Sequence, residues 1–477
     1  MVTLMQFSNI NYFIFLIAVF FAFWLTKPKW RTGLLAIVSV IFYVQAGAKP
    51  LILLAAVALL DFFVARQIYR TEENRKRKIL LCTSLFIDLG ILCFFKYANF
   101  FIESSGSILA LAGFKFNPTF LQILQPIGLS FFIFQSIAYV VDVYRKTTPP
   151  AKSLIEYFAY LSLFPSIVAG PINRAKHLLP QLRNSLPLTA EQGGQALFLI
   201  AIGLIKKIAI ADYLRANFVD RVFDFPERYS SLEMLAGIYG YAVQIYADFS
   251  GYSDVAIGSA LLLGIVLPIN FNAPYLAQDL PEFWRRWHIS LSTWLRDYVF
   301  FSITKLHPRS TAVLYLGLIA TMMIGGLWHG AAWKFVIWGL LHGLGLVVAR
   351  KFESFRKRWN WYQPNSIVCQ IFGVFVTFHF VCLTWIFFRA ESFSNAKEVF
   401  KTLFARTANT ANLPIPILVI IALTLAAQWL PENWWRRLQG GFDWLPAPVQ
   451  AALLAGIAMG LYQIASSDVV PFIYAKF

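Results

Sequence analysis

The sequence predicts an all-α polytopic membrane protein with about 11–14 membrane segments, re-entrant helices included. Three observations carry that expectation. Hydrophobic residues make up 58% of the 477 and charged residues only 14%, and mean hydropathy is +0.61, whereas an ordinary globular chain is about 25% charged. One core cannot hide that much apolar surface, so a second apolar solvent is required, and a bilayer supplies it. Apolar runs recur along the whole chain. The excess of basic residues (41 Lys and Arg against 24 Asp and Glu, net +17) sits in short loops between those runs. Loop charges of that kind orient a membrane protein and meet anionic lipid. They argue against nucleic acid as a partner, and the composition argues against a disordered chain or a disulfide scaffold.

The first run, residues 11–26, has no basic stretch before it; Lys27, Lys29 and Arg31 follow it. That order argues against a cleaved signal peptide and for a first span whose N-terminus lies outside. Further runs lie near 33–48, 51–65, 79–96, 121–143, 153–170, 195–214, 232–247, 253–269, 311–328, 333–349, 366–388, 413–430 and 447–465. Several fall short of the roughly 20 residues an upright helix needs, so they are tilted, re-entrant or buried in protein. Strands are disfavoured, because lipid cannot satisfy an open sheet edge. Basic loops at 27–31, 66–78 and 145–152 alternate with loop 97–120, which holds Lys115 against Glu103. The alternation breaks at Arg174, Lys176 and Arg183: either 153–170 does not cross fully, or that loop uses its charges for binding. No fixed repeat and no Gly/Ser linker divides the chain. It reads as a membrane core over 1–405, with residues 406–477 a C-terminal extension of two further apolar segments in the same membrane domain.

Cys82, Cys93, Cys369 and Cys382 all lie in apolar runs with no Cys-x-x-Cys pair and read as small hydrophobes. No two of the six histidines are three or four apart, so a helical zinc pair is unsupported and no metal is expected. Nucleophile elbows and phosphate-cradling loops are missing as well. In Asp88 and Lys96 one span carries two charges; the lysine can snorkel, and the carboxylate has no evident partner.

Three stretches could carry chemistry. The first is Gly325-Gly326-Leu327-Trp328-His329-Gly330-Ala331-Ala332-Trp333, between two apolar arms flanked outside by Lys305, Arg309, Arg350 and Lys351. Both arms then start and finish on one side, with His329 near the far turn or part-way down a re-entrant hairpin. Gly326/Gly330 and Gly339/Gly343 are four apart, which permits close helix approach. A histidine at membrane depth is costly and functional by default; the alternative is a neutral ring donating to a carbonyl. A desolvated neutral imidazole is a good general base. The second stretch, Pro281 to Tyr298, read as one helix, aligns Trp284, Trp287, His288, Leu291, Trp294 and Leu295 on one face. Its Arg285 and Arg286 suit either an interfacial helix or the phosphates of an acyl donor. The third, Tyr246 to Asp254, gathers Asp248, Ser250, Ser253 and Asp254 around Gly251 and reads first as a structural network or a turn.

Together and in this order, these stretches resemble the membrane-bound O-acyltransferase (MBOAT) family, and within it the branch containing the alginate O-acetyltransferase membrane subunit. Phe95-Lys96-Tyr97-Ala98-Asn99-Phe100-Phe101, Pro126-Ile127-Gly128-Leu129-Ser130, Val168-Ala169-Gly170-Pro171-Ile172 and Trp385-Ile386-Phe387-Phe388-Arg389-Ala390 extend the likeness over about residues 7–390. The resemblance implies an MBOAT fold around a central tunnel. It puts the principal catalytic histidine on His329 and the second on His288. Beside them, Arg285, Arg286 and Trp328 are expected as donor- or substrate-side residues, and Asp248 and Asn272 as supports of the same pocket. The expected reaction is acetyl transfer from a cytoplasmic thioester, acetyl-CoA as co-substrate with no bound cofactor, to a hydroxyl of an extracytoplasmic polysaccharide, an exopolysaccharide acceptor, or of a partner protein, helped by a secreted or membrane-anchored acetyltransferase partner at the inner or plasma membrane. D-alanyl transfer within the same family, and a transporter or flippase without chemistry, are the alternatives.

Overall fold

A computed structural model of the chain describes residues 7, 9–114, 119–185, 187–359 and 366–465. Lys115 and residues 466–477 of the expected extension lie outside them. All regular structure among the described residues is helical. Six helices are long and apolar enough to cross a membrane: Ala48–Arg70, Asn74–Leu111, Thr311–His329, Trp333–Arg358, Ile367–Arg389 and Ala447–Ile464. Ile415–Ala427 and Glu432–Trp444, bent by 101° at their break, make a seventh if counted as one span. Of the other apolar runs, several form shorter helices such as Ile10–Leu25 and Leu129–Tyr144. The 11–14 expected segments therefore include many that are not full spans by length.

The break in charge alternation has a structural cause. Run 153–170 forms only a nine-residue helix, Leu154–Ser162, roughly 14 Å long at 1.5 Å per residue. Non-helical turns fill the remainder through Gly170. As a helix it is too short to cross a bilayer by itself, and Arg183 beyond it forms an ion pair with Glu156.

The chain divides into two compact units, residues 1–193 with 256–268, and 194–255 with 269–477. In the first, Leu129–Tyr144 is buried along nearly its whole circumference. It starts at Gly128, whose φ of +73° favours glycine, and where a Cβ would collide with the Ile167 carbonyl oxygen. Several buried polar groups of this unit find partners inside it. Asp61 accepts hydrogen bonds from Ser84 Oγ at 2.5 Å and from Ser136 Oγ, and Ser136 Oγ lies 2.8 Å from the Tyr157 hydroxyl. Asp88 lies near Asp61 from the next helix, and both of its carboxylate oxygens are buried without a hydrogen-bond partner. Lys96 does not snorkel: it is buried in a π-helical turn, Cys93–Tyr97, and donates to Ser130 Oγ at 3.3 Å.

The second unit is built around the antiparallel pair Thr311–His329 and Trp333–Trp359. The spaced glycines act as expected. A Cβ on Gly326 would collide with the Phe335 carbonyl oxygen, one on Gly339 with that of Met322, and one on Gly343 would lie 2.7 Å from Ile319 Cα. Only glycine permits backbones this close. Short helices Leu280–Arg286 and Ile289–Trp294, the helix Ile367–Arg389 and residues 231–255 of the long helix Ser231–Leu261 complete the surroundings of the histidines.

Candidate active site

His329 ends its helix, and Gly330 is its extended C-cap. Nineteen residues from Thr311 make the helix roughly 28 Å long, so His329 sits at the turn of the pair, one span length from the entry, and not half-way down it. A Cβ on Gly330 would collide with the Phe335 ring, so glycine lets that phenyl close under the turn. The imidazole is 2% exposed. Its ring centroid lies 5.0 Å from that of Trp328, 5.2 Å from Trp338 and 5.2 Å from Phe388, each near edge-to-face.

His288 departs from the single helix expected across 281–298. The chain begins helically because Asp279 Oδ1 caps it, accepting from Glu282 N at 2.7 Å, but the helix stops at Arg286. Trp287 is extended and His288 adopts the left-handed conformation, φ 42° and ψ 56°, before a new helix starts at Ile289. A non-glycine residue held there stores strain of about 1–3 kcal/mol, which commonly accompanies function. The common apolar face predicted for Trp284 through Leu295 is therefore interrupted.

The residue that fixes this break is Asn270. Its Oδ1 accepts from Ser290 N at 3.2 Å and Ser290 Oγ at 2.9 Å and lies 3.1 Å from His288 Nδ1. Its Nδ2 donates to Ser253 Oγ at 3.3 Å, and its carbonyl accepts from Ile289 N at 2.9 Å. An amide oxygen only accepts, so Nδ1 of His288 is the protonated nitrogen and Nε2 carries the lone pair. His288 is fully buried, and desolvation lowers its pKa to about 3, which keeps the ring neutral near pH 7. The Phe249 ring meets it edge-on at 4.6 Å.

Two segments remote in sequence thus bring His288 and His329 to a ring separation of 6.5 Å, with Trp328 touching both. The other expected site residues fall into three groups. Asp248 is buried in an ion pair with Lys207 Nζ at 2.6 Å, and the same ammonium reaches Asp212 at 2.9 Å; this is a structural network one residue before Phe249. Arg286 is tied to Glu282 at 2.7 Å and to the Asn272 carbonyl at 3.3 Å. Arg285 and Asn272 are exposed, and Asn272 pairs through its backbone with the Arg286 carbonyl at 2.9 Å. Sequence reasoning missed Asn270, two positions before Asn272, and His342, which is buried on the helix after His329. The available signal for His342 was its place four residues after Trp338 on an apolar helix, one turn along the same face. Among the described residues no group of three or more His, Cys, Asp or Glu could hold a metal ion.

The sequence model of the membrane-bound O-acyltransferase family matches residues 147–389, a stretch that contains both histidines. A probable alginate O-acetylase from Pseudomonas putida is 34% identical, covering 98% of this chain and 99% of its own length. A peptidoglycan O-acetyltransferase from Helicobacter pylori is 35% identical over 77% of this chain and 72% of its own. A teichoic acid D-alanyltransferase from Bacillus subtilis is 30% identical over 57% of this chain and 70% of its own.

Proposed function

This chain belongs to the membrane-bound O-acyltransferase family, and on that premise we propose that it moves an acetyl group from acetyl-CoA to a hydroxyl of an extracytoplasmic polysaccharide or of a partner protein, with His329 as general base and His288 assisting. That it is a multi-pass membrane acyltransferase follows from the family and the apolar helices; the donor, the acceptor and the residue roles are the proposal. The observation that carries it is the approach of the two imidazoles, one at a helix end and one at a strained break, inside an aromatic shell.

In the proposed step the acceptor hydroxyl oxygen attacks the thioester carbonyl as an imidazole nitrogen of His329 takes its proton. The tetrahedral intermediate collapses to the ester, and the sulfur leaves as the thiol after receiving that proton back. His288, with Nδ1–H held by Asn270, presents Nε2 as an acceptor that can orient the attacking hydroxyl. Burial of both rings keeps bulk water from hydrolysing the thioester. Trp328 is the wall the two rings share. The exposed Arg285 suits the phosphates of a soluble donor, whereas Arg286, committed to Glu282, holds the loop. Asp248 and the Asn272 backbone support the framework. A secreted or membrane-anchored acetyltransferase would finish delivery to an exopolysaccharide, with the chain in the inner or plasma membrane.

Acetyl transfer is favoured over D-alanyl transfer because the likeness to O-acetylating relatives extends over nearly the whole chain, while the D-alanyltransferase matches little more than half. The test is His329→Ala: the protein should reach the membrane normally and leave the polysaccharide without O-acetyl ester. Unchanged ester content would refute the assignment. Free CoA released from acetyl-CoA only when acceptor is present separates the enzyme from a transporter.

A further inference from the structure

We propose that His342 is a positioning residue that fixes the orientation of His329 through the indole of Trp338. The inference rests on the reading of His329 as general base.

Trp338 and His342, four residues apart, share one helix face, and their rings lie 4.8 Å apart at 58°. The same indole meets His329 at 5.2 Å and 89°. Trp338 is therefore in contact with both imidazoles, and it stacks on Trp385 at 5.6 Å and 17°. The orientation of Trp338 shapes the wall against which His329 rests. His342, fully buried, constrains that orientation only if its own ring is fixed, and it is. Its Nε2 lies 2.9 Å from Thr384 Oγ1, and the Thr384 hydroxyl proton is already donated to the Val381 carbonyl at 2.8 Å. A hydroxyl has one proton, so Nε2–H of His342 is the donor and its tautomer is set.

That leaves Nδ1 of His342 as a buried acceptor without a hydrogen-bond partner. A phenyl ring would fill much the same space without the cost of burying that nitrogen. Packing alone therefore does not explain the choice of histidine. A ring locked by one directional bond to the neighbouring helix does explain it, because it tethers Trp338, and through it His329, to the Ile367–Arg389 helix.

The experiment compares wild type, His342→Phe and His342→Gln in membranes, normalised to monodisperse folded protein, with acetyl-CoA as donor and CoA thiol release as readout. His342→Phe keeps the shape and loses the bond; His342→Gln restores an amide donor at the reach of Nε2. Positioning predicts kcat lower by about tenfold in the Phe variant, with KM for acetyl-CoA changed by less than about twofold, and recovery of most of that loss in the Gln variant. A kcat equal to wild type in the Phe variant, or no recovery with Gln, overturns the proposal. If the Phe variant does not fold, Thr384→Val removes the acceptor at constant bulk and is held to the same kcat criterion. His329→Ala is measured alongside. If it is inactive while His342→Phe is unimpaired, only the positioning role falls. If it is fully active, the base assignment falls and the positioning role falls with it.

Discussion

Each unit of the molecule buries a polar cluster, and the two are built on opposite terms. In the first, Asp61 receives hydroxyls from Ser84 and Ser136, and every participant lies on a regular helix. In the second, His288 sits where the helix breaks into a left-handed residue, His329 where a helix ends, and Nδ1 of His288 and Nε2 of His342 each meet a polar oxygen of another segment. A carboxylate surrounded by hydroxyl donors is a junction that joins helices. A hydrogen bond at one ring nitrogen fixes an imidazole's tautomer and orientation. The difference teaches that burial alone does not say what a polar cluster does: one joins regular helices, the other fixes imidazoles at a helix break and behind a helix end.

Substitutions can break that contrast. The largest effect belongs to His329→Ala, for which a loss of roughly 10²–10⁴-fold in acetyl transfer is expected of a general base, with membrane insertion unchanged. Next comes Asn270→Ala. It removes the acceptor that sets the His288 tautomer and should lower kcat by about ten- to a hundredfold, while Asn270→Asp, which keeps the acceptor, should retain most of the activity in the same assay. In the other cluster, Asp61→Ala leaves two buried hydroxyls without their acceptor and should cost about 1–3 kcal/mol of stability. This would register as a lower unfolding temperature in detergent, with activity per folded molecule within about twofold of wild type. A large activity loss there would erase the distinction between junction and reactive site. The smallest effect is expected from Asn272→Ala. Its exposed side chain does not shape the site, and kcat should stay within about twofold, a surface-level change.

Much of the hairpin that carries His329 was legible in the sequence because its determinants are local. Glycines four apart report close backbone approach, and Gly326, Gly339 and Gly343 do meet Phe335, Met322 and Ile319. The break at His288 was not legible. The 3.6-residue periodicity from Trp284 to Leu295 continues across it, and the bonds that impose the left-handed residue come from Asn270, outside the motif. Asn272 was singled out in place of Asn270 for the same reason, since position along the chain does not say which amide turns inward. The nearness of Asp88 to Asp61 was invisible because Asp61 lies on a different helix, and facing between helices is not encoded in either segment's own pattern.

Composition, apolar run length and glycine spacing by themselves determined that the chain is helical, membrane-embedded and hairpinned around His329, because these properties depend on solvent partition and on contacts between residues three or four apart. Tertiary packing alone decided which nitrogen of His288 and of His342 carries the proton, how near His288 comes to His329, and that His342 stands behind Trp338. Those outcomes depend on single hydrogen bonds and ring contacts between segments tens of residues apart, whose geometry exists only once the helices have packed.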